Sequence, residues 1–131
     1  ARIERITKTT AELVAYLRKH PKVEAVLFPL DESFPQYKLA CSQMQGACGL
    51  FTIVLNTRER DSIVRFCESL KHFMMAVSWG GHESLVIPKC AGIRPADFNP
   101  ANREHRYVRI YAGLEDAAYL RADLDQALAL I

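Results

Sequence analysis

Residues 50–55 place the strongest constraint on how this chain can fold. They read Leu-Phe-Thr-Ile-Val-Leu and are apolar at every position except Thr52. Side chains alternate between the two faces of a sheet, so a strand that is apolar on both faces needs cover on both. β-Branched and aromatic residues also favour the extended conformation. The segment therefore predicts a strand in the interior of a sheet.

The rest of the chain alternates between helical and extended patterns. Apolar residues recur at helical spacing from Ile3 until His20-Pro21 interrupts them, because a residue before proline avoids the helical region. In order, the patterns predict a helix over residues 3–17, a strand at 23–28, a helix from Pro35 to Met44, the strand at 50–55, a helix capped by Thr57 and ending near Leu70, strands at 73–77, 85–87 and 106–111, and a final helix through Tyr119 to Ile131. This order indicates an α+β fold, with a mixed or antiparallel sheet covered by helices on one face.

Length and composition predict one domain over residues 1–131, because 50% of the residues are hydrophobic and can build a core. The formal net charge is only +2, and no basic run follows a phosphate backbone, so nucleic acid is not an expected partner. No apolar run is long enough to cross a bilayer, and the first residues do not resemble a secretory signal. We expect a cytoplasmic protein that does not bind membranes.

The cysteines and histidines do not predict a metal site. The four cysteines contain no Cys-x-x-Cys pair, and the expectation is that they are reduced thiols of the core (Cys41, Cys48, Cys67 and Cys90). The four histidines add no ligand pattern. His82 and Glu83 are adjacent in sequence and are expected to point apart, which argues against an acid–base pair. No nucleophile–base set or phosphate-binding glycine loop is present either.

Two motifs carry groups that suit a small anion. Residues 78–85 contain the only tryptophan, Trp79, followed by the turn-forming pair Gly80-Gly81, and residues 107–116 contain Arg109 within a strand pattern. Arg109 either faces solvent or an acid, or presents its planar guanidinium to a carboxylate. Trp79 and Ser78 have equally ordinary alternatives, since a tryptophan beside a turn can be core and a hydroxyl at a strand end can satisfy local backbone.

These motifs resemble the C-terminal part of the Cys/Met-metabolism enzymes, which are pyridoxal-phosphate-dependent enzymes of fold type I. The matching residues are Ser-Trp-Gly-Gly-His-Glu-Ser-Leu at 78–85, Gly-Ile-Arg-Pro at 92–95 and Tyr-Val-Arg-Ile-Tyr-Ala-Gly-Leu-Glu-Asp at 107–116. Shorter matches at residues 20–24, 28–29 and 43–46 extend the resemblance over nearly the whole chain. The tryptophan form of the first motif is most similar to that of the cystathionine β-lyases, whereas Phe34 stands where a histidine is frequent.

The resemblance implies a role for three residues. Arg109 matches the arginine that binds the α-carboxylate of the amino-acid substrate, and Ser78 and Trp79 match positions that line the same carboxylate site. The cofactor would be pyridoxal 5'-phosphate, and the reaction an elimination that releases a thiol, ammonia and a 2-oxo acid from a sulfur-containing amino acid. Active sites of the family form between subunits, which implies a homo-oligomer, a dimer or tetramer, for the complete enzyme.

The family's Schiff-base lysine and cofactor-binding residues belong to a preceding large domain that these residues do not match. The six lysines do not lie in the family's lysine motif, so the chain is expected to hold no catalytic or cofactor-binding residue. We therefore expect a C-terminal fragment that is inactive by itself. A γ-synthase, sulfhydrylase or methionine γ-lyase of the same family, or a free-standing ligand-binding module without catalysis, stay open as alternatives.

Overall fold

A computed structural model describes all 131 residues. Four helices and five strands follow one another: α1 (Arg2–Leu17), β1 (Val23–Leu27), α2 (Tyr37–Gln43), β2 (Leu50–Leu55), α3 (Arg60–Ser69), β3 (Met74–Met75), β4 (Leu85–Pro88), β5 (Tyr107–Tyr111) and α4 (Ala117–Leu128). Three short 3-10 helices lie between β4 and β5. The order of the helices and strands agrees with the sequence prediction.

The five strands form one mixed sheet in the order β1-β2-β5-β4-β3. Neighbouring strands are antiparallel except for β3, which runs parallel to β4 at the edge. The apolar segment 50–55 forms β2 between β1 and β5, which confirms its interior position. The predicted α+β class is confirmed.

One face of the sheet carries the core. Phe51 and Ile53 of β2, with Val108 and Ile110 of β5, are buried among apolar residues of α1, α3 and α4. Burying such side chains is worth about 1.5–3 kcal/mol each, which makes this layer the main source of stability. The residues between them in each strand point to the opposite face, and Arg109 is one of these.

Some predicted boundaries were wrong. The strand predicted over residues 73–77 is only two residues long, and past it the Val77 carbonyl accepts a hydrogen bond from the Arg109 side chain. Helix α2 begins at Tyr37, two residues after Pro35. Thr57 does not cap α3; its Oγ1 accepts a hydrogen bond from the Glu59 amide at 3.2 Å, and the helix begins at the next residue.

The cysteines were predicted correctly only in part. All four are free thiols, but Cys41 and Cys48 are exposed, and only Cys67 and Cys90 lie in the core. Burial, first, and the nearby Cys90 and Glu68 raise the pKa of Cys67 to about 12. No group of metal-ligating side chains occurs in the fold, and no helix has the length and apolar character to cross a bilayer.

Candidate functional site

The sheet register brings the two sequence motifs together. Strand β4 begins where β5 ends, with Leu85 opposite Tyr111. The residues before β4 and those after β5 therefore leave the sheet side by side. We call residues 77–83, which lie between β3 and β4, the tryptophan loop.

Arg109 contacts the start of the tryptophan loop. Its cross-strand neighbours are Thr52 and Ile87, which places it in the middle of the sheet on the face opposite the core. One guanidinium nitrogen donates a hydrogen bond to the Val77 carbonyl, directly before Ser78. No carboxylate of the chain pairs with it. Because a guanidinium carries five N–H donors, this half-buried cation keeps donors for an external anion.

Beyond Val77, the tryptophan loop is open to solvent. Ser78 is exposed, Trp79 is 60% exposed, and neither side chain makes a hydrogen bond within the chain. The interpretation of Trp79 as a core residue is therefore wrong. Gly80 has a φ of 94°, a conformation that side-chain-bearing residues adopt only with strain, which explains the glycine in the turn.

Arg109 and Trp79 line different hollows. Arg109 borders one of about 320 Å³ together with Thr52, Tyr107 and Lys89. Trp79 borders a more apolar hollow of about 410 Å³ that also contains Met44 and Tyr111. The structure thus brings Arg109 to the backbone beside Ser78 and Trp79, but does not place the three side chains in one pocket.

The far end of the tryptophan loop is fixed by residues that follow β5. The Leu114 amide donates to the His82 carbonyl at 2.8 Å, and the Tyr111 hydroxyl donates to the Gly81 carbonyl at 3.0 Å. Burial, above all, raises the pKa of Tyr111, so the hydroxyl stays protonated as a donor. These contacts join the loop to β5.

Ser84 and Glu115 are the site residues that sequence reasoning missed. Ser84 is fully buried, and both its amide and its hydroxyl donate to the Glu115 carboxylate, at 3.0 and 2.7 Å. Its hydroxyl also accepts a hydrogen bond from the Gly113 amide at 2.9 Å. A carboxylate before a helix is favoured by the helix dipole, but Asp116 rather than Glu115 caps α4, accepting a hydrogen bond from the Ala118 amide at 2.9 Å.

His82 and Glu83 lie closer than expected. Nε2 of His82 is 3.3 Å from a carboxylate oxygen of Glu83, so the expectation that they point apart is wrong. The His82 side chain is 79% exposed, and an ion pair in so much water is worth little. The pair offers no buried acid or base for catalysis.

The residues around Arg109 do not fit a pyridoxal-phosphate site. Lys89 is the only lysine beside the hollow that Arg109 borders, and it is exposed to solvent. The N-terminus of α4, which could otherwise attract a phosphate, is capped by the carboxylate of Asp116. Arg109 keeps donors that suit an anion, but these residues do not form a cradle for the cofactor's phosphate.

Comparison with known proteins gives consistent matches. The family model described as "Cys/Met metabolism PLP-dependent enzyme" matches residues 1–129. An L-methionine gamma-lyase of Treponema denticola is 36% identical over 97% of this chain, and an L-alanine/L-glutamate racemase of Wolbachia pipientis is 35% identical over 98%. The cystathionine beta-lyase MetC of Escherichia coli is 30% identical over 99%. These alignments cover 32–34% of the relatives, so the chain spans about a third of their length.

Proposed function

Because the chain belongs to the Cys/Met-metabolism family of pyridoxal-phosphate-dependent enzymes, we propose that it is the C-terminal, substrate-carboxylate-binding domain of a carbon–sulfur lyase. Arg109 binds the α-carboxylate of a sulfur-containing amino acid, and Ser78 and Trp79 border the bound carboxylate. The complete protein releases a thiol, ammonia and a 2-oxo acid. Its lyase type is that of the cystathionine β-lyases, on the strength of the tryptophan in the loop.

The observation that supports this proposal best is the unpaired charge of Arg109. An arginine in the middle of a sheet normally has an acidic partner, because desolvating an unpaired charge is unfavourable. Here the Val77 carbonyl fixes one edge of the guanidinium, and no carboxylate of the chain occupies the rest. A planar fork fixed in this way is suited to a carboxylate, which it can bind through two parallel hydrogen bonds.

The contribution of these residues to catalysis is orientation. A carboxylate held at Arg109 fixes the direction of the substrate's bonds at the α-carbon, and such pre-positioning lowers the entropy cost of reaction. If another part of the complete protein covers Trp79, the indole becomes an apolar surface that excludes water and strengthens the ion pair. The cofactor supplies the electron sink when bound, and we propose that its lysine and phosphate site lie in another domain of the complete protein.

Without the cofactor-binding domain, the chain is inactive, and adding pyridoxal phosphate gives no stable imine absorbance band. A stable band together with turnover of an amino acid would contradict the proposal. The complete enzyme is a cytoplasmic homo-oligomer, a dimer or tetramer, in line with active sites that form between subunits.

The chain is also similar to a methionine gamma-lyase and to a racemase, at 36% and 35% identity, whose reactions differ from that of a β-lyase. Elimination at a different carbon, γ-replacement and racemisation would each use the same contact between Arg109 and the substrate's α-carboxylate. Assays of the complete protein with cystathionine, methionine, activated homoserines and alanine separate these reactions.

The role of Arg109 is tested by Arg109→Ala in the complete protein. Losing one partner of a desolvated charge pair costs about 2–5 kcal/mol, so kcat/KM should fall by about 30-fold or more, mainly through KM. Arg109→Lys should restore only part of the loss, because an ammonium lacks the planar fork. Arg65→Ala, an exposed arginine of α3, is the matched control and should leave kcat/KM unchanged.

A substrate amide makes the test specific for the carboxylate. If the α-carboxylate is replaced by a primary amide, wild-type protein and Arg109→Ala should turn it over at similar kcat/KM. An equal loss for acid and amide, or no loss for the acid, would remove Arg109 from the carboxylate site.

A further inference from the structure

Ser84 is joined to two separate parts of the fold, strand β3 and the segment that follows β5. Its carbonyl accepts from the Met74 amide of β3 at 3.0 Å, and its hydroxyl accepts from the Gly113 amide at 2.9 Å. Its own amide and hydroxyl both donate to Glu115. A fully buried serine whose backbone and side-chain groups are all engaged is a fixed point rather than a loop residue.

This fixed point lies at one end of the tryptophan loop, and Arg109 holds the other end at Val77. Between the two anchors, the side chains of Ser78 and Trp79 project into solvent without hydrogen bonds. Their placement relative to Arg109 therefore depends on where the loop begins and ends. The Tyr111 hydroxyl at Gly81 and the Leu114 amide at His82 also hold the loop near its Ser84 end. Ser84 and Glu115 join the same two segments, so losing their contact should loosen this end of the loop.

We propose that Ser84 and Glu115 are positioning residues, which clamp the end of the tryptophan loop and so limit where Ser78 and Trp79 lie relative to Arg109. This inference rests on the proposed carboxylate site. A carboxylate suits the task because its two oxygens accept from the amide and the hydroxyl of Ser84 at once, through charge-assisted hydrogen bonds. A neutral side chain at residue 115 would satisfy these donors less well.

The clamp can be tested on the chain itself, independently of catalysis. Trp79 is the only tryptophan, so its fluorescence anisotropy decay reports the mobility of the loop. Glu115→Ala should increase the amplitude of fast local motion and accelerate hydrogen exchange of the Gly113 and Leu114 amides about tenfold or more. Glu115→Gln, which keeps one carbonyl acceptor, should give an intermediate result.

Asp116→Ala is the matched control. It removes an adjacent carboxylate that caps α4 and does not contact the tryptophan loop. It should leave the mobility of Trp79 and exchange at residues 113–114 unchanged, even though it weakens the helix. Unchanged mobility of Trp79 in Glu115→Ala, at native far-UV circular dichroism, would overturn the clamp. If that variant fails to fold, Glu115→Gln decides the question in the same way.

The link to the carboxylate site is tested in the complete protein. Glu115→Ala should raise the KM for the amino acid about tenfold with a smaller change in kcat, Glu115→Gln should recover part of it, and Asp116→Ala should stay within about twofold. A mobile loop with unchanged KM would overturn the positioning role. Failure of the proposed function itself has a different signature, because Arg109→Ala would then leave KM unaltered.

Discussion

Replacing Gly113 by alanine should destabilise the protein by about 3–5 kcal/mol. A Cβ at this position would lie 2.2 Å from the carbonyl oxygen of His82 and 2.6 Å from the carbonyl carbon of Glu83. The backbone of the two segments would have to separate by about 1 Å, and such overpacking typically costs about 1–3 kcal/mol. Separation also weakens two hydrogen bonds, from the Leu114 amide to His82 and from the Gly113 amide to Ser84, each worth about 1 kcal/mol.

Urea denaturation followed by far-UV circular dichroism measures this loss, since a domain of this size is expected to unfold in one step. Gly46→Ala is the control: no heavy atom lies within 4 Å of its added Cβ, and its stability should stay within about 0.5 kcal/mol of wild type. A loss below about 1 kcal/mol for Gly113→Ala would mean that the segment after β5 does not pack against the tryptophan loop.

Three further predictions concern groups outside the site. Asp123→Ala should cost about 2–4 kcal/mol in urea denaturation, because this buried carboxylate accepts hydrogen bonds from backbone amides between α3 and β3. Burial and a hydrogen bond to Asp125 raise the pKa of Tyr16 to about 12. The folded state therefore keeps this proton longer than the unfolded state, so urea midpoints of the wild type should fall between about pH 10 and 12, and less steeply for Tyr16→Phe. A thiol reagent at about pH 8 should modify exposed Cys41 rapidly and Cys67 only after unfolding, because burial raises the pKa of Cys67 to about 12.

The order of helices and strands could be predicted because local periodicity alone specifies it. The apolar segment 50–55 predicts a strand in the sheet interior without any knowledge of its neighbours, because both of its faces are apolar. The exact ends could not be predicted in the same way. The strand at residue 74 ends at Met75, and the Val77 carbonyl after it accepts a hydrogen bond from Arg109, a residue 32 positions later that local patterns do not connect to it.

The sequence predicted individual residues of the candidate site but not the contacts that hold them in place. Spacing along β5 placed Arg109 opposite the core neighbours Val108 and Ile110, but could not say whether an acid would meet it. The clamp between Ser84 and Glu115 follows from the register that sets Leu85 opposite Tyr111, and register is a property of paired strands rather than of either sequence. The only sequence feature that could have indicated these hydrogen bonds is the pair Gly113 and Glu115, a glycine and a carboxylate two residues apart shortly after β5.

The exposure of Arg109 determines how much free energy an ion pair between Arg109 and a bound carboxylate can contribute. An ion pair open to water contributes at most about 1 kcal/mol, whereas a desolvated pair contributes several times more. Arg109 is only half buried and Trp79 is 60% exposed, so neither excludes water from a bound anion by itself. Covering Trp79 would supply both the apolar burial and the desolvation. The hydrogen bonds at Val77 and at Ser84 fix the ends of the loop, while the Trp79 side chain between them is free to be covered.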